Sequence, residues 1–155
     1  MSPEALRQAM TDAKRIVVKV GSSSISGPNV GQIEPLVDAL AATDAPPLEG
    51  FLEIDLSGEP GRGGATPADA ERLAERVLRT PGLRLVGVMA VAPIGAEPRA
   101  AFARLREVSE RVRSLAPDAD RISAGMSGDY AAAILEGATH LRIGTAITGK
   151  RPERG

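Results

Sequence analysis

The sequence predicts a parallel α/β fold, and three observations predict it. Apolar, β-branched runs of strand length recur at 15–20, 50–56, 83–91, 120–124 and 139–144. Between them lie stretches whose apolar residues repeat at helical spacing. The links are several residues long, which suits crossovers rather than hairpins. The order β-α-β-α-β-α-β-α-β gives a five-stranded parallel βα-repeat domain over residues 1–155, either an open doubly wound sheet or part of a barrel.

Residues 3–14 read as a short polar helix with Pro3 in its first turn. Arg15 to Val20 is a β-branched strand that stops at Gly21-Ser22-Ser23-Ser24. Ile33, Leu36, Val37 and Leu40 share one face of a helix over 31–42, which Asp44-Ala45-Pro46-Pro47 breaks. Strict alternation through Phe51-Leu52-Glu53-Ile54-Asp55-Leu56 predicts the second strand, and a Gly-rich loop with Arg62 follows. Thr66 as N-cap and Pro67 at the first helical position open a helix to about Arg79.

Leu83 to Val91 is apolar nearly throughout, as in a strand covered on both faces. Glu97 to Leu115 is a long amphipathic helix with Phe102, Leu105, Val108 and Val112 on one side. Asp120 to Ala124 is the fourth strand, and a helix over 127–136 closes at Gly137. Thr139 to Gly144 is the fifth strand, and a short tail runs from Ala146 to about Lys150.

Composition narrows the function. At 155 residues, 43% hydrophobic and 25% charged, the chain can build one real core. A net charge of −1 and 2% aromatics give no footprint for nucleic acid or for a membrane surface. The absence of cysteine excludes disulfides and thiolate chemistry, and a single histidine, His140, makes a His-based metal site or a Ser-His-Asp triad hard to build. No metal site is expected. No apolar run suits a signal core or a membrane span, so a cytoplasmic location is the expectation.

Two stretches near the end carry the chemistry. Ile122-Ser123-Ala124-Gly125-Met126-Ser127-Gly128-Asp129 and His140-Leu141-Arg142-Ile143-Gly144-Thr145 each run from a strand into a glycine turn. Backbone N–H groups at such turns are unpaired donors at a positive dipole end, and they hold anions, phosphate above all. Turns after the last two strands are a common phosphate position in barrels. Plain capping by Ser127 and a helix-favouring Asp129 explain the same residues without a ligand.

Other candidates also carry two readings. Lys19 ends a strand where ligands of parallel α/β proteins bind, and a desolvated lysine there can attack an aldehyde; equally, its stem can cover the sheet while its head stays wet. Glu53 and Asp55 share a face and can act as paired carboxylates or simply line a polar rim. Arg62 can bind an anion or stay solvated. Arg142 shares its face with His140 and Gly144 and can meet a ligand or form an ion pair.

Residues from about Leu48 to Pro152 resemble the C-terminal half of the YggS/PROSC family of pyridoxal phosphate homeostasis proteins. The resemblance is carried by Phe51 to Pro60 with Arg62-Gly63-Gly64, by Leu85 to Val91, by Ser123 to Asp129, and by Arg142 to Gly149. It implies a barrel like the alanine racemase N-terminal domain, here a partial one. It also implies binding of pyridoxal 5'-phosphate (PLP) with little or no catalysis, in a role that buffers or delivers the cofactor. By the same resemblance Ser123, Gly125, Met126, Ser127 and Gly128, with Gly144 and Thr145, surround the phosphate, and Arg142 lies close to the cofactor.

The start departs from that family. Its early strand with the Schiff-base lysine is missing, as are the motifs of its next two strands. Arg15 to Ser24 instead resembles the opening of glutamate 5-kinase, in the amino-acid kinase family. The chain thus reads as a join near 43–48, with Lys19 standing in for the missing Schiff-base lysine. A partial barrel exposes strand edges and so suggests a homodimer. Two rivals accompany the PLP reading: a kinase remnant using Lys19, Gly21 and Ser22, and a recombined α/β scaffold with no ligand function.

Overall fold

Alternating side chains place β1 at Leu48–Glu53, close to where the pattern predicts it. The computed structural model of the chain describes residues 46–59, 62–144, 147 and 149. The expected strand over 15–20, the helix over 31–42, Lys19, Thr145 and the start of the 43–48 junction lie outside the described residues. Within them the order is β1, α1 (Ala70–Leu78), β2 (Leu83–Met89), α2 (Pro98–Leu115), β3 (Arg121–Ser123) and α3 (Tyr130–Leu135).

The three strands form one parallel sheet in the order β1-β2-β3. The expectation of five strands is therefore met in part: three regular strands are found among the described residues. The segment 139–144 contributes a single parallel bridge, His140 to Ser123, instead of a full strand. Ile54 likewise extends β1 only by a bridge to Ala65.

One face of the sheet holds the core. Ile54, Leu85, Val88, Ala90, Ile122 and Ala124 pack there against Ala70 and Ala74 of α1 and Phe102, Leu105, Val108 and Val112 of α2. The helical spacing of that last set dictates the contact, because all four fall on one stripe. Each such side chain contributes about 1.5–3 kcal/mol by leaving water. Glu97 caps α2, its carboxylate accepting from the amides of Arg99 at 3.0 Å and Ala100 at 2.7 Å, with Pro98 following. No described helix is long and apolar enough to cross a membrane.

Thr66 behaves as a cap one turn early. Its hydroxyl accepts from the Asp69 amide at 3.2 Å, but the regular helix begins only at Ala70. Residues 67–69 are a turn, so Pro67 precedes α1 instead of starting it.

The uniformly apolar β2 conceals a change of phase. Leu85 and Val88 both face the helix-side core although they are three residues apart. The register with β1 shifts at Gly50/Phe51, and Gly87 absorbs the irregularity at φ 155°. A Cβ on Gly87 would lie 1.8 Å from the Arg121 carbonyl oxygen.

The sheet curls away from its helices. The Phe51 and His140 rings meet edge to face at 5.4 Å, from β1 and from the segment beyond β3. Flat strands three places apart would be separated by about 14 Å. Near the opposite end of the strands, Arg121 reaches across β2 to Glu49 at 2.9 Å, and Arg84 also pairs with Glu49. Gly87, between Phe51 and Arg121 in register, puts no side chain in that path.

Candidate functional site

All strands run the same way, so their C-terminal ends share one rim of the sheet. In parallel α/β proteins this rim positions ligands. Two of its corners belong to the glycine turns.

The first corner runs from Ser123 to Tyr130. Ser123 is buried at the end of β3, and its carbonyl accepts from the Ala90 amide at 3.2 Å. Gly125 is also buried and adopts φ 91°, which L side chains rarely tolerate. A Cβ there would lie 2.8 Å from the Ala133 Cβ and 2.9 Å from the Tyr130 Cα. Glycine is therefore required for the chain to turn this close to α3.

The Asp129 and Tyr130 amides both donate to the Met126 carbonyl, at 3.1 and 3.0 Å. The Met126 amide in turn donates to Asp129 Oδ1 at 2.6 Å. This reach-back resembles one arm of a capping box. The first helical turn thus begins at Met126, although the regular part of α3 starts at Tyr130. Ser127 is not the N-cap: it sits inside the turn with Gly128.

The second corner runs from His140 to Gly144. The Arg142 amide donates to the Gly125 carbonyl at 2.9 Å, so this segment is laced to the first turn. The Gly144 amide then points at Ser127 Oγ, 3.4 Å away. The two glycine turns therefore lie within one hydrogen bond of each other. The Arg142 guanidinium donates to the Ala90 carbonyl at 2.7 Å, and no ion pair of Arg142 occurs among the described residues.

The structure thus brings Ser123, Gly125, Met126, Ser127, Gly128, Arg142 and Gly144 to one end of the sheet. Among the described residues, a Cβ on Gly128 or on Gly144 would meet nothing within 4 Å. A hydroxyl, backbone amides and a guanidinium are donors of the kind that suits an oxyanion. Lys19 and Thr145, the remaining members of the expected site, lie outside the described residues.

The other candidates are engaged differently. Asp55 accepts from the Ser57 hydroxyl at 2.6 Å and the Ser57 amide at 2.8 Å. The hydroxyl bond is the largest reason its carboxyl is held below the usual range, opposed by burial and helped by the Ser57 and Gly58 amides and the Arg62 charge. Asp55 braces its own loop through these bonds. Arg62 is a surface partner of Glu59 at 3.4 Å. A cavity of about 170 Å³ opens between Glu53, Asp55, Arg62, Gly63 and Val91 on the same rim. His140 Nδ1 lies 2.8 Å from the Thr139 hydroxyl, which also accepts from the Ile122 amide at 2.9 Å.

Sequence reasoning did not find the carboxylate of Asp129 as a bond to Met126, nor the Ala90 carbonyl as the partner of Arg142. The first had a signal, an acidic residue three positions after the start of a turn. The second joins residues far apart in sequence and had none.

Comparison with known proteins places this arrangement. The chain is 48% identical over 109 residues to the pyridoxal phosphate homeostasis protein of Pseudomonas aeruginosa, a match covering 68% of this chain and 46% of that protein. It spans less than half the length of the curated relatives it matches. A solved structure of an unknown protein from Bifidobacterium adolescentis superposes with a TM-score of 0.70 at 26% identity, covering 84% of this chain and 58% of that one. PipY of Synechococcus elongatus, solved with PLP bound, shares the fold at a TM-score of 0.67 and 21% identity, over 94% of this chain and 76% of that one. The model of the alanine racemase N-terminal domain matches residues 5–152 and so runs through the segment read as similar to glutamate 5-kinase, a resemblance that finds no support. A parallel sheet with helices on its outer face and glycine turns at its C-terminal rim, matched almost from end to end, means that the chain belongs to the alanine racemase N-terminal domain family.

Proposed function

We propose that this chain binds pyridoxal 5'-phosphate and acts as a homeostasis-type carrier with little or no catalysis. One observation carries the reading: the Gly144 amide donates to the Ser127 hydroxyl oxygen at 3.4 Å, which brings the two glycine turns together at one end of the sheet. A phosphate group bound at this junction would replace that long bond and accept from both turns. The homeostasis relatives match 67–68% of this chain, which supports the choice of ligand.

In this reading Ser127 donates its hydroxyl to the phosphate, with the amides of Gly128 and Gly144 beside it. Thr145 adds a second hydroxyl. Ser123, Gly125 and Met126 shape the turn that presents these donors. Arg142, tied to Ala90, closes the side of the site nearest β2. When bound, the cofactor supplies an aldehyde that condenses reversibly with amines. Among the chain's three lysines, Lys14, Lys19 and Lys150, we assign that amine to Lys19, from its place at the end of the expected first strand.

Equilibrium dialysis against PLP tests the assignment, and the absence of tryptophan makes absorbance the natural readout. A hydrogen bond to a charged group contributes about 1.5–3 kcal/mol, so Ser127→Ala and Thr145→Ala should each weaken binding about tenfold or more. Unchanged affinity in the double variant would remove the phosphate assignment. Failure of the wild-type chain to bind PLP would favour the ligand-free scaffold. Borohydride reduction with PLP, followed by peptide mapping, should label Lys19; label on Lys14 or Lys150 counts against its role.

A further inference from the structure

We propose that Asp129 is a positioning residue that holds the phosphate turn in shape and limits how tightly that turn retains a dianion. The inference rests on the PLP reading above and deepens it.

The carboxylate does the first job through one short bond. Met126 donates its amide to Asp129 Oδ1 at 2.6 Å, while the Met126 carbonyl accepts from the Asp129 and Tyr130 amides. Residues 126–130 are thereby closed from both sides. The backbone of Ser127 and Gly128 is held between the two closures. Truncation at position 129 frees the Met126 amide and lets the turn open, although no ligand-touching group has been removed.

The second job follows from charge. The same carboxylate lies within two residues of Ser127 and Gly128, two of the groups assigned to the phosphate. A fixed negative charge there opposes a phosphate monoester dianion. The two jobs separate chemically, because asparagine keeps an Oδ1 acceptor for Met126 but carries no charge. They predict opposite outcomes for two substitutions at one position, which a purely structural role does not. Limited affinity also suits a chain that takes up its ligand and gives it back.

The experiment is equilibrium dialysis of wild-type chain, Asp129→Asn and Asp129→Ala against PLP and against pyridoxal, which lacks the phosphate. Removing one like charge at a partly solvated site should tighten PLP binding by Asp129→Asn about three- to tenfold. That gain should shrink in high salt, and pyridoxal binding should stay at the wild-type level. Asp129→Ala should bind PLP more weakly than wild type. An Asn variant that binds PLP no tighter than wild type overturns the proposal, as does a folded Ala variant with unchanged affinity. If the Ala variant does not fold, the Asn variant alone decides. No PLP binding by the wild-type chain overturns the cofactor reading and this proposal together, whereas wild-type binding with the wrong order of variants overturns this proposal alone.

Discussion

The guanidinium of Arg142 donates to the carbonyl of Ala90 at 2.7 Å, tying the last strand segment to the end of β2 across β3. The side chain of Ala90 is fully buried, so its neighbourhood offers water little access. Arg142→Met keeps an apolar stem and removes the donor. Leaving this partly buried acceptor without its donor costs up to about 1–3 kcal/mol. A urea titration should show a lower midpoint with an unchanged slope, and the same variant should bind PLP more weakly.

Gly125 and Gly128 make a controlled pair. Gly125→Ala forces a side chain onto φ 91° and into the Ala133 and Tyr130 contacts. Such strain costs about 1–3 kcal/mol before any repacking. Its thermal midpoint should fall together with its affinity for PLP. Gly128→Ala meets no atom of the described residues within 4 Å, so its midpoint should stay at the wild-type value. The added methyl occupies the approach to the turn, and PLP affinity alone should drop. Equal midpoints for the two variants would contradict this account of the turn.

Gly87→Ala should be the most damaging small substitution in the sheet. Its Cβ would sit 1.8 Å from a backbone oxygen of β3, and backbone cannot rotate aside as a side chain can. The pairing of Gly87 with Arg121 has to break, and with it the path by which Arg121 reaches Glu49. Circular dichroism should show lost cooperativity in thermal unfolding, whereas Gly50→Ala in β1, with no described atom within 4 Å and no positive φ, should retain a cooperative transition.

These glycines mark where the sequence was legible and where it was not. The stripe of Phe102, Leu105, Val108 and Val112 announced α2 and its buried face, because helical periodicity is a local signal. The clustering of the glycine turns was equally readable, since parallel strands must end on one rim. The phase change at Gly87 was hidden, because an all-apolar strand shows no alternation to interrupt. Regular pairing at 139–144 was over-read: its one bridge at His140 gives way to side-chain and turn contacts that pattern alone does not specify. Ser127 looked like a cap because its residue type favours caps, but the Asp129 carboxylate closes the turn from the other side.

Glu136 gives the fold a defined response to acid. Its nearly buried carboxylate bridges two positions on α2, accepting from Arg99 Nε at 2.8 Å and Arg106 Nε at 3.3 Å. The Arg99 hydrogen bond is the first reason its carboxyl is held below the ordinary value of 4.5; burial opposes it, and the Arg106 bond and both charges add to it. Because the folded state binds this proton less readily than the unfolded one, the contribution is complete above the ordinary glutamate value. It disappears as pH falls through the lowered folded value. Glu136→Gln lacks this term at every pH. Thermal midpoints of the two proteins should therefore differ most from neutral pH down to about pH 5 and converge as glutamate becomes protonated. Asp55 and Asp69 are also held low, by Ser57 and by Arg72 respectively, but both titrate in each protein and cancel in the difference. Midpoints that stay parallel down to pH 3 would show that the Arg99–Glu136–Arg106 bridge does not stabilise the attachment of α3 to α2.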